Sequence, residues 1–394
     1  MQAAAQPQRV LIIRPSALGD VCRTVPVLAS LRHGWPKAHI AWLVQDDFAA
    51  AIEAHPALDE IVSFPRSRLA RWWWHPMASW ELFKWLGSLR KRRFDLVIDC
   101  QGLGRSGVMA FATAAPRRIG LRQARELAWI GYNQRVPQDS TQPVPVHTVD
   151  QMLTLVEAAG VQPLCDMRLY AAQQHRDWWE QRRRAAGWAG SPYAVIAPTA
   201  RWPSKRWPID RFAQLVEPLL ERGFVRIVVI GAPGESDQVQ ELFRRYPPSG
   251  VDDADSSRRP LIDLVGKSSI AQTMAMIAEA GLVVANDSAP LHMAVGFGRP
   301  CVALFGPTDP VAVGPYGMQH SVVRGFEPGE GETINFKEGR LGDRLMRLIS
   351  TAAVLQRIDR VLATAESAAR QWRSRAQPAF EGGFPKGAVR EAAS

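Results

Sequence analysis

Val10-Leu-Ile-Ile-Arg-Pro-Ser-Ala-Leu-Gly-Asp20 reads as a buried strand, a tight turn and the first turn of a helix. The apolar run at its start is short and β-branched, as in a strand covered on both faces. Pro15 and Gly19 mark the turn, and beyond Asp20 the residues Val21, Val25, Leu28 and Leu31 recur at helical spacing. A strand that feeds directly into a helix is the first half of a βαβ unit, so the expected class is α/β with parallel sheets.

Working outward, strand-like runs follow at His39 to Val44, Glu60 to Phe64, Phe94 to Asp99 and Arg117 to Gly120, with helix-sized segments between most of them. The pattern resumes at Tyr193 to Ala197, Val225 to Ile230, Leu261 to Val265, Leu282 to Ala285 and Cys301 to Phe305. Two five-stranded α/β domains are expected, without any internal sequence repeat. They are assigned to residues 1–175 and 190–350, with a last helix in 351–371 and a disordered tail over 372–394. Val354, Leu355, Ile358, Val361 and Leu362 give that helix an apolar face that needs a partner, and the first domain is the expected one. A chain of 394 residues suits two domains at roughly 150 residues each.

The composition is 46% hydrophobic and 22% charged, and no apolar run approaches the roughly 18 residues of a membrane helix. The N-terminus lacks a charged region leading into a long apolar stretch, so export is not expected. Cys22, Cys100, Cys165 and Cys301 lie far apart, which fits no paired metal spacing and a reducing compartment. The net charge of +10 is concentrated: Arg66 to Arg93 holds eight Arg or Lys against Glu81 alone. In that segment Leu82, Leu86 and Leu89 are helix-spaced core, whereas Trp72 to Trp74 belong to a loop. Cations mixed with indoles suit an anionic membrane surface or a phosphorylated glycolipid; no nucleic-acid motif accompanies them.

In open α/β sheets ligands gather outside the carboxyl ends of strands. Three turns fall there. Asp20 opens the helix after the first strand and is a candidate base; helix capping is the competing explanation. Asn286-Asp-Ser-Ala-Pro-Leu-His292 starts a helix, with Asp287 or Ser288 as cap and Pro290 in the first turn, and such a terminus suits a diphosphate. A lone His such as His292 is more often structural than a ligand. Pro198-Thr-Ala-Arg-Trp-Pro-Ser-Lys-Arg-Trp-Pro208 sets cations in a strand-to-helix loop stiffened by two Trp-Pro pairs, which would hold Lys205 for phosphate oxygens.

Two segments mislead. Gly102, Gly104 and Gly107 satisfy the dinucleotide fingerprint, but the acidic residue about 20 positions on is replaced by Arg118-Ile-Gly-Leu-Arg122. The cluster Asp252, Asp253 and Asp255 lies in a Pro- and Ser-rich loop and reads as solvated surface, not a metal site.

Taken together, Ser16-Ala-Leu-Gly-Asp20, Asp99-Cys-Gln-Gly102, Lys205-Arg-Trp-Pro208, the 286–292 turn and Gly306-Pro-Thr-Asp-Pro310 with Tyr316-Gly317 resemble the ADP-heptose heptosyltransferases of lipopolysaccharide core assembly, glycosyltransferase family nine. The likeness covers residues 9 to 365. It implies a GT-B fold with two Rossmann-like domains facing across a cleft, the C-terminal helix packing back on the first domain, and inversion at the anomeric carbon. It further implies acceptor binding by the first domain, Asp20 as base, and contacts from Ser16 and Gly19. Donor contacts would come from Thr199, Lys205, Ser288, Ala289, Pro290 and His292, with Asp287 on the sugar, Glu235 on the ribose and Lys267 near the adenine. Arg14-Pro15 replaces the family's common Lys-Thr, and Ala289 its common Gly. No cofactor or metal is expected beyond the ADP-heptose donor, and a cytoplasmic monomer, peripheral to the membrane, is the expected state. A transferase of another nucleotide sugar, a non-catalytic nucleotide-sugar-binding protein and an NAD-dependent oxidoreductase remain as alternatives.

Overall fold

The computed structural model describes residues 6–69, 75–138, 145–250, 259–326 and 339–376. Trp72 to Trp74, the 252–255 aspartates and the tail beyond Ala376 lie outside them. The first sheet contains β1 (Arg9–Ile13), β2 (His39–Gln45), β3 (Glu60–Phe64), β4 (Leu96–Asp99), β5 (Arg117–Leu121) and β6 (Gln134–Val136), in the order β3-β2-β1-β4-β5-β6. The second contains β7 (Tyr193–Ala197), β8 (Arg226–Gly231), β9 (Leu261–Val265), β10 (Leu282–Asn286), β11 (Cys301–Phe305) and β12 (Val322–Arg324), in the order β12-β11-β10-β7-β8-β9. Every pairing is parallel. Counted from its own first strand, each sheet has the doubly wound order 3-2-1-4-5-6.

Among the described residues each sheet has six strands, not five. β6 and β12 are three-residue edge strands, too short to impress a period on the sequence. The central strands behave as their composition demands: all five residues of β10 and of β11 are buried, since helices cover both faces of a parallel sheet.

The switch points of the two sheets, β1 beside β4 and β7 beside β10, set where chemistry collects. The helix Leu18–Gly34 leaves β1, and the helix Ala289–Gly296 leaves β10. These two helices pack against each other across the domain boundary. Val21, Val25 and Leu28 therefore share one apolar cluster with Leu291, Met293 and Val295. The connecting segment is tied to both sides, through Leu164 N–H to Ser30 Oγ at 2.8 Å and Leu169 N–H to the Gly296 carbonyl at 2.9 Å.

The last helix departs from expectation twice. It runs from Thr351 to Ala376, past Trp372, where the tail was expected to begin. Its apolar face does not cross to the first domain: Val354, Ile358 and Val361 pack with Val302, Leu304 and Val323 of β11 and β12. The physical reason is local. The outer face of those strands is uncovered until this helix arrives, and Trp207 Nε1 donates to the Ile349 carbonyl at 3.0 Å, fixing the entry of the helix on the second domain. No described helix is long and apolar enough to cross a membrane.

Ile358 is fully buried in this contact. Ile358→Ala should lower unfolding free energy by about 2–4 kcal/mol in urea titration; a change below about 0.5 kcal/mol would mean that the helix does not dock there.

Candidate active site

The helix Leu18–Gly34 begins with Ala17 as N-cap, and Asp20 occupies the third helical position, where its Oδ2 accepts from the Ala17 N–H at 3.3 Å. The capping explanation for Asp20 is thus true as far as it goes. It accounts for one oxygen of a carboxylate that also meets two cations: Arg14 Nη2 lies 3.1 Å from Oδ2, and Arg23 bonds Oδ1. Burial pushes the Asp20 carboxyl up, but Arg14 and Arg23 outweigh it and hold the group well below the usual carboxylate range. It is ionised throughout the physiological range, and 26% of its side chain remains accessible.

Neither arginine was singled out as a site residue from sequence. Arg23 lies three residues after Asp20 on one helix face, a spacing that does flag an ion pair. What the spacing does not reveal is that Arg23 Nη1 also donates to the Val313 carbonyl of the second domain at 2.9 Å. Arg14 donates to the Cys100 carbonyl at the end of β4, a contact set only by sheet order. Gln101, next in the chain, accepts from the Ser16 N–H through Oε1 at 3.2 Å and so holds the turn before Asp20.

Opposite Asp20 stands the start of the helix Ala289–Gly296. Ser288 is its N-cap but makes no side-chain cap; its hydroxyl turns back to the Asn286 carbonyl at 3.2 Å. Ser288 is thus the N-cap without the expected side-chain bond; Pro290 has no N–H and the Leu291 N–H donates to the Ser288 carbonyl at 3.1 Å, so it is the Ala289 amide that this start presents to an external anion. Asp287 is buried and bonds Lys205 Nζ at 2.5 Å; burial raises its carboxyl, Lys205 lowers it further, and the net direction is down. Asn286 fixes the loop that carries Lys205, donating to the Pro198 carbonyl at 2.8 Å and accepting from the Trp207 N–H at 3.1 Å. Of the two Trp-Pro pairs only Trp207 is core; Trp202 is exposed.

His292 sits between the two halves. A Cβ on Gly19 would come within 2.8 Å of His292 Cδ2, so glycine is what lets the two helix starts touch. Burial, with Arg23 nearby, lowers the His292 imidazole to about 3, and it is neutral at pH 7. Its ring is buried, at 4% exposure, against the start of the first-domain helix.

The remaining expected residues line the same edge of the second sheet. Thr199 follows β7 and packs on Gly231, where an added Cβ would meet Thr199 Oγ1 at 2.8 Å. Glu235 follows β8, its Oε2 accepting from the Ala232 N–H at 2.9 Å. Lys267 follows β9, bonded to Asp263 at 2.5 Å and largely exposed. Gly266 abuts Pro233, which sets Lys267 beside the Glu235 turn. The Gly102/Gly104/Gly107 fingerprint has a packing explanation: a Cβ at Gly104 or Gly107 would strike the carbonyl of Glu126 or Ala128 at 2.6 or 2.4 Å. Gly104 and Gly107 admit the 126–128 turn, while Gly102 has φ +66° and lies against Ala124.

Two doubly wound domains, joined so that the turns after β1 and β10 meet at their boundary, have the GT-B architecture. Residues 82–340 match the model of glycosyltransferase family 9 (heptosyltransferase), and the chain belongs to that family. It is 28% identical over 313 residues to lipopolysaccharide heptosyltransferase 1 of Pseudomonas aeruginosa, covering 78% of this chain and 81% of the relative. Identity to lipopolysaccharide heptosyltransferase 1 of Escherichia coli is 26% over 320 residues, 80% of this chain and 93% of that one. Among solved structures, E. coli ADP-heptose lps heptosyltransferase II superposes with a TM-score of 0.70 at 21% identity, over 91% of this chain and 99% of the other. E. coli heptosyltransferase WaaC with ADP-2-deoxy-2-fluoro heptose gives 0.66 at 24%, over 89% and 99%.

The neutral, buried His292 makes stability depend on pH. An unfolded histidine titrates near 6.5, so below that value only the unfolded chain takes up the proton, and stability falls as pH drops toward about 3. Between pH 7 and 5 this group should remove about 2 kcal/mol. His292→Gln should flatten the pH dependence of urea midpoints relative to wild type; parallel curves would disprove the assignment.

Proposed function

We propose that the chain transfers a heptose from ADP-heptose to a saccharide of the lipopolysaccharide core, with inversion at the anomeric carbon, on the cytoplasmic face of the membrane. The observation that carries this reading is the approach of Asp20, from the first domain, to the Lys205–Asp287 pair and the start of the helix Ala289–Gly296, from the second. The names of the relatives and the ADP-heptose analogue bound by the E. coli neighbour support the choice of donor.

In this reading the diphosphate lies against the backbone at Ser288 and Ala289, at the start of the helix, with Lys205 beside it, and fixed positive groups stabilise the departing charge. Asp287 keeps Lys205 in place and accepts from hydroxyls of the donor sugar. Glu235 and Lys267 stand where a nucleoside would extend along the sheet edge, and Ser16 and Gly19 border the acceptor. As the acceptor oxygen bonds to the anomeric carbon, the bond to the diphosphate breaks with its electron pair leaving on ADP, and the hydroxyl proton passes to Asp20.

The two arginines shape that last step. A carboxylate held so far below its usual range is always in the basic form but is a weak base, so the proton moves late, once the acceptor oxygen has gained positive charge from bonding. The arginines favour the ionised carboxylate, so they oppose the transfer until that charge has built up; what they contribute is an Asp20 held ionised and oriented before the acceptor binds.

Purified protein with ADP-heptose and delipidated core acceptor should release ADP and form a product heavier by one heptose. Asp20→Ala should lose about 10²–10⁴-fold in kcat while its thermal midpoint still rises with ADP. Retained turnover in that variant would remove Asp20 from the chemistry; ADP binding without transfer by wild type would shift the reading to another sugar or to a binding role. Because Lys205 and the helix start occupy the place of a divalent ion, turnover should survive excess chelator, and its loss would refute this account of leaving-group stabilisation.

A further inference from the structure

Tyr316 and Gly317 carry part of the family resemblance, yet the transfer chemistry uses neither. They follow the helix Pro310–Val313, which leaves the 306–310 turn at the end of β11. This stretch of the second domain is gripped by the first. Arg23 Nη1 donates to the Val313 carbonyl at 2.9 Å, and His147 Nε2 meets the Gly314 carbonyl at 3.1 Å. The Tyr316 hydroxyl donates to Asp150 Oδ1. Residues 313–316 are therefore bonded across the domain boundary three times within four positions. Two of the acceptors are backbone carbonyls, so the path of the chain is held and not merely a side chain.

The first-domain partners are themselves fixed. His147 Nδ1 accepts from the Val149 N–H at 3.1 Å as the side-chain cap of the helix Thr148–Ala159. An accepting Nδ1 puts the ring proton on Nε2, the nitrogen that faces the Gly314 carbonyl. Burial lowers the pKa of this imidazole, which favours that neutral form. Its ring centre lies 4.8 Å from that of Tyr316. Asp150 sits in the first turn of the same helix, and the Tyr316 hydroxyl that it accepts also meets the Cys165 thiol on the segment between the domains.

These contacts lead back to the base. The helix Thr148–Ala159 packs on the helix Leu18–Gly34, with Thr24 Oγ1 3.2 Å from Met152 Sδ. Arg23, one turn after Asp20, bonds both the Asp20 carboxylate and the Val313 carbonyl. From the gripped segment the chain returns through the 306–310 turn to β11, which pairs with β10, the strand that ends just before Asp287. A continuous series of bonded neighbours thus runs from Asp20 to the donor-binding edge. Adhesion alone does not require it, because Leu291, Met293 and Val295 already give this boundary an apolar contact with the Asp20 helix. Apolar packing is non-directional, whereas hydrogen bonds weaken steeply when misaligned and so select one spacing.

We propose that residues 313–316 are a clasp that sets the distance between the Asp20 carboxylate and the donor-binding edge of the second domain, with Tyr316 and His147 as positioning residues for transfer. The proposal rests on the transfer reading and adds what holds base and donor in register. Misplacement of a reacting group by about 1 Å can cost about 10²-fold in rate.

The test compares wild type, Tyr316→Phe, Asp150→Ala and the double variant in steady-state transfer, ADP titration and small-angle scattering of the full chain. Tyr316→Phe keeps the ring against His147 and removes only the hydroxyl. It should lower kcat per ADP-binding site about 10–100-fold, leave the ADP Kd within about twofold, and enlarge the radius of gyration. The double variant should lose no more than the larger single loss, because Asp150 acts through that hydroxyl. A purely structural role would instead reduce the number of ADP sites and the thermal midpoint, with kcat per site unchanged. That outcome, additive losses, or faster turnover from a loosened boundary would each overturn the proposal. If wild type binds ADP but transfers nothing, the transfer reading fails and the scattering decides the clasp: a radius unchanged in Tyr316→Phe and in the double variant would overturn it.

Discussion

The structure depends on a contact that only a glycine permits. The starts of two helices from different domains, Leu18–Gly34 and Ala289–Gly296, meet where Gly19 lies against His292, with no room for even one added carbon. From that approach follow the shared apolar cluster between the domains, the burial of His292 as a neutral ring, and the placing of Asp20 opposite the Lys205–Asp287 pair. Without it the two sheets would each keep their cores but would not present their ligand-facing edges to one another.

The same junction has an unusual distribution of charge. Two carboxylates, Asp20 and Asp287, each carry cationic partners: Arg14 and Arg23 for the first, Lys205 for the second. Both sit near backbone amides at helix starts, where negative charge is favoured. A buried ion pair contributes little to stability once desolvation is counted, so stability alone gives weak reason to keep these groups here. Their value lies in electrostatic preorganisation: charges already oriented before a diphosphate arrives need not reorganise when it leaves. Arg23 adds a mechanical element, because one guanidinium joins Asp20 to the Val313 carbonyl across the domain boundary.

Much of this was legible in the chain. The turn at 15–20, the loop at 198–208 and the turn at 286–292 were readable because strand ends, prolines and helix stripes leave strong local marks. Edge strands β6 and β12 were not, since three residues are shorter than any period. Arg14 and Gln101 were missed as site residues for a different reason: both act through β1 lying next to β4, neighbours separated by more than 80 residues. The docking of the last helix failed as an expectation because an apolar stripe states that a partner exists, not which one. Its partner was settled by the uncovered side of β11 and β12 and by the anchor from Trp207 to Ile349.

The sequence by itself determined the α/β class, the two domains, the helix starts that bear Asp20 and the 287–290 segment, and the membership these motifs imply. Each of these is written in short-range order, where backbone sterics and side-chain periodicity act over a few residues. The tertiary structure alone decided the company that Asp20 keeps, the neutrality of His292, the packing use of Gly104 and Gly107 and the reach of Tyr316 to Asp150. Those depend on distances between segments remote in the chain, and neither Coulomb interactions nor burial has a value until folding supplies the distances.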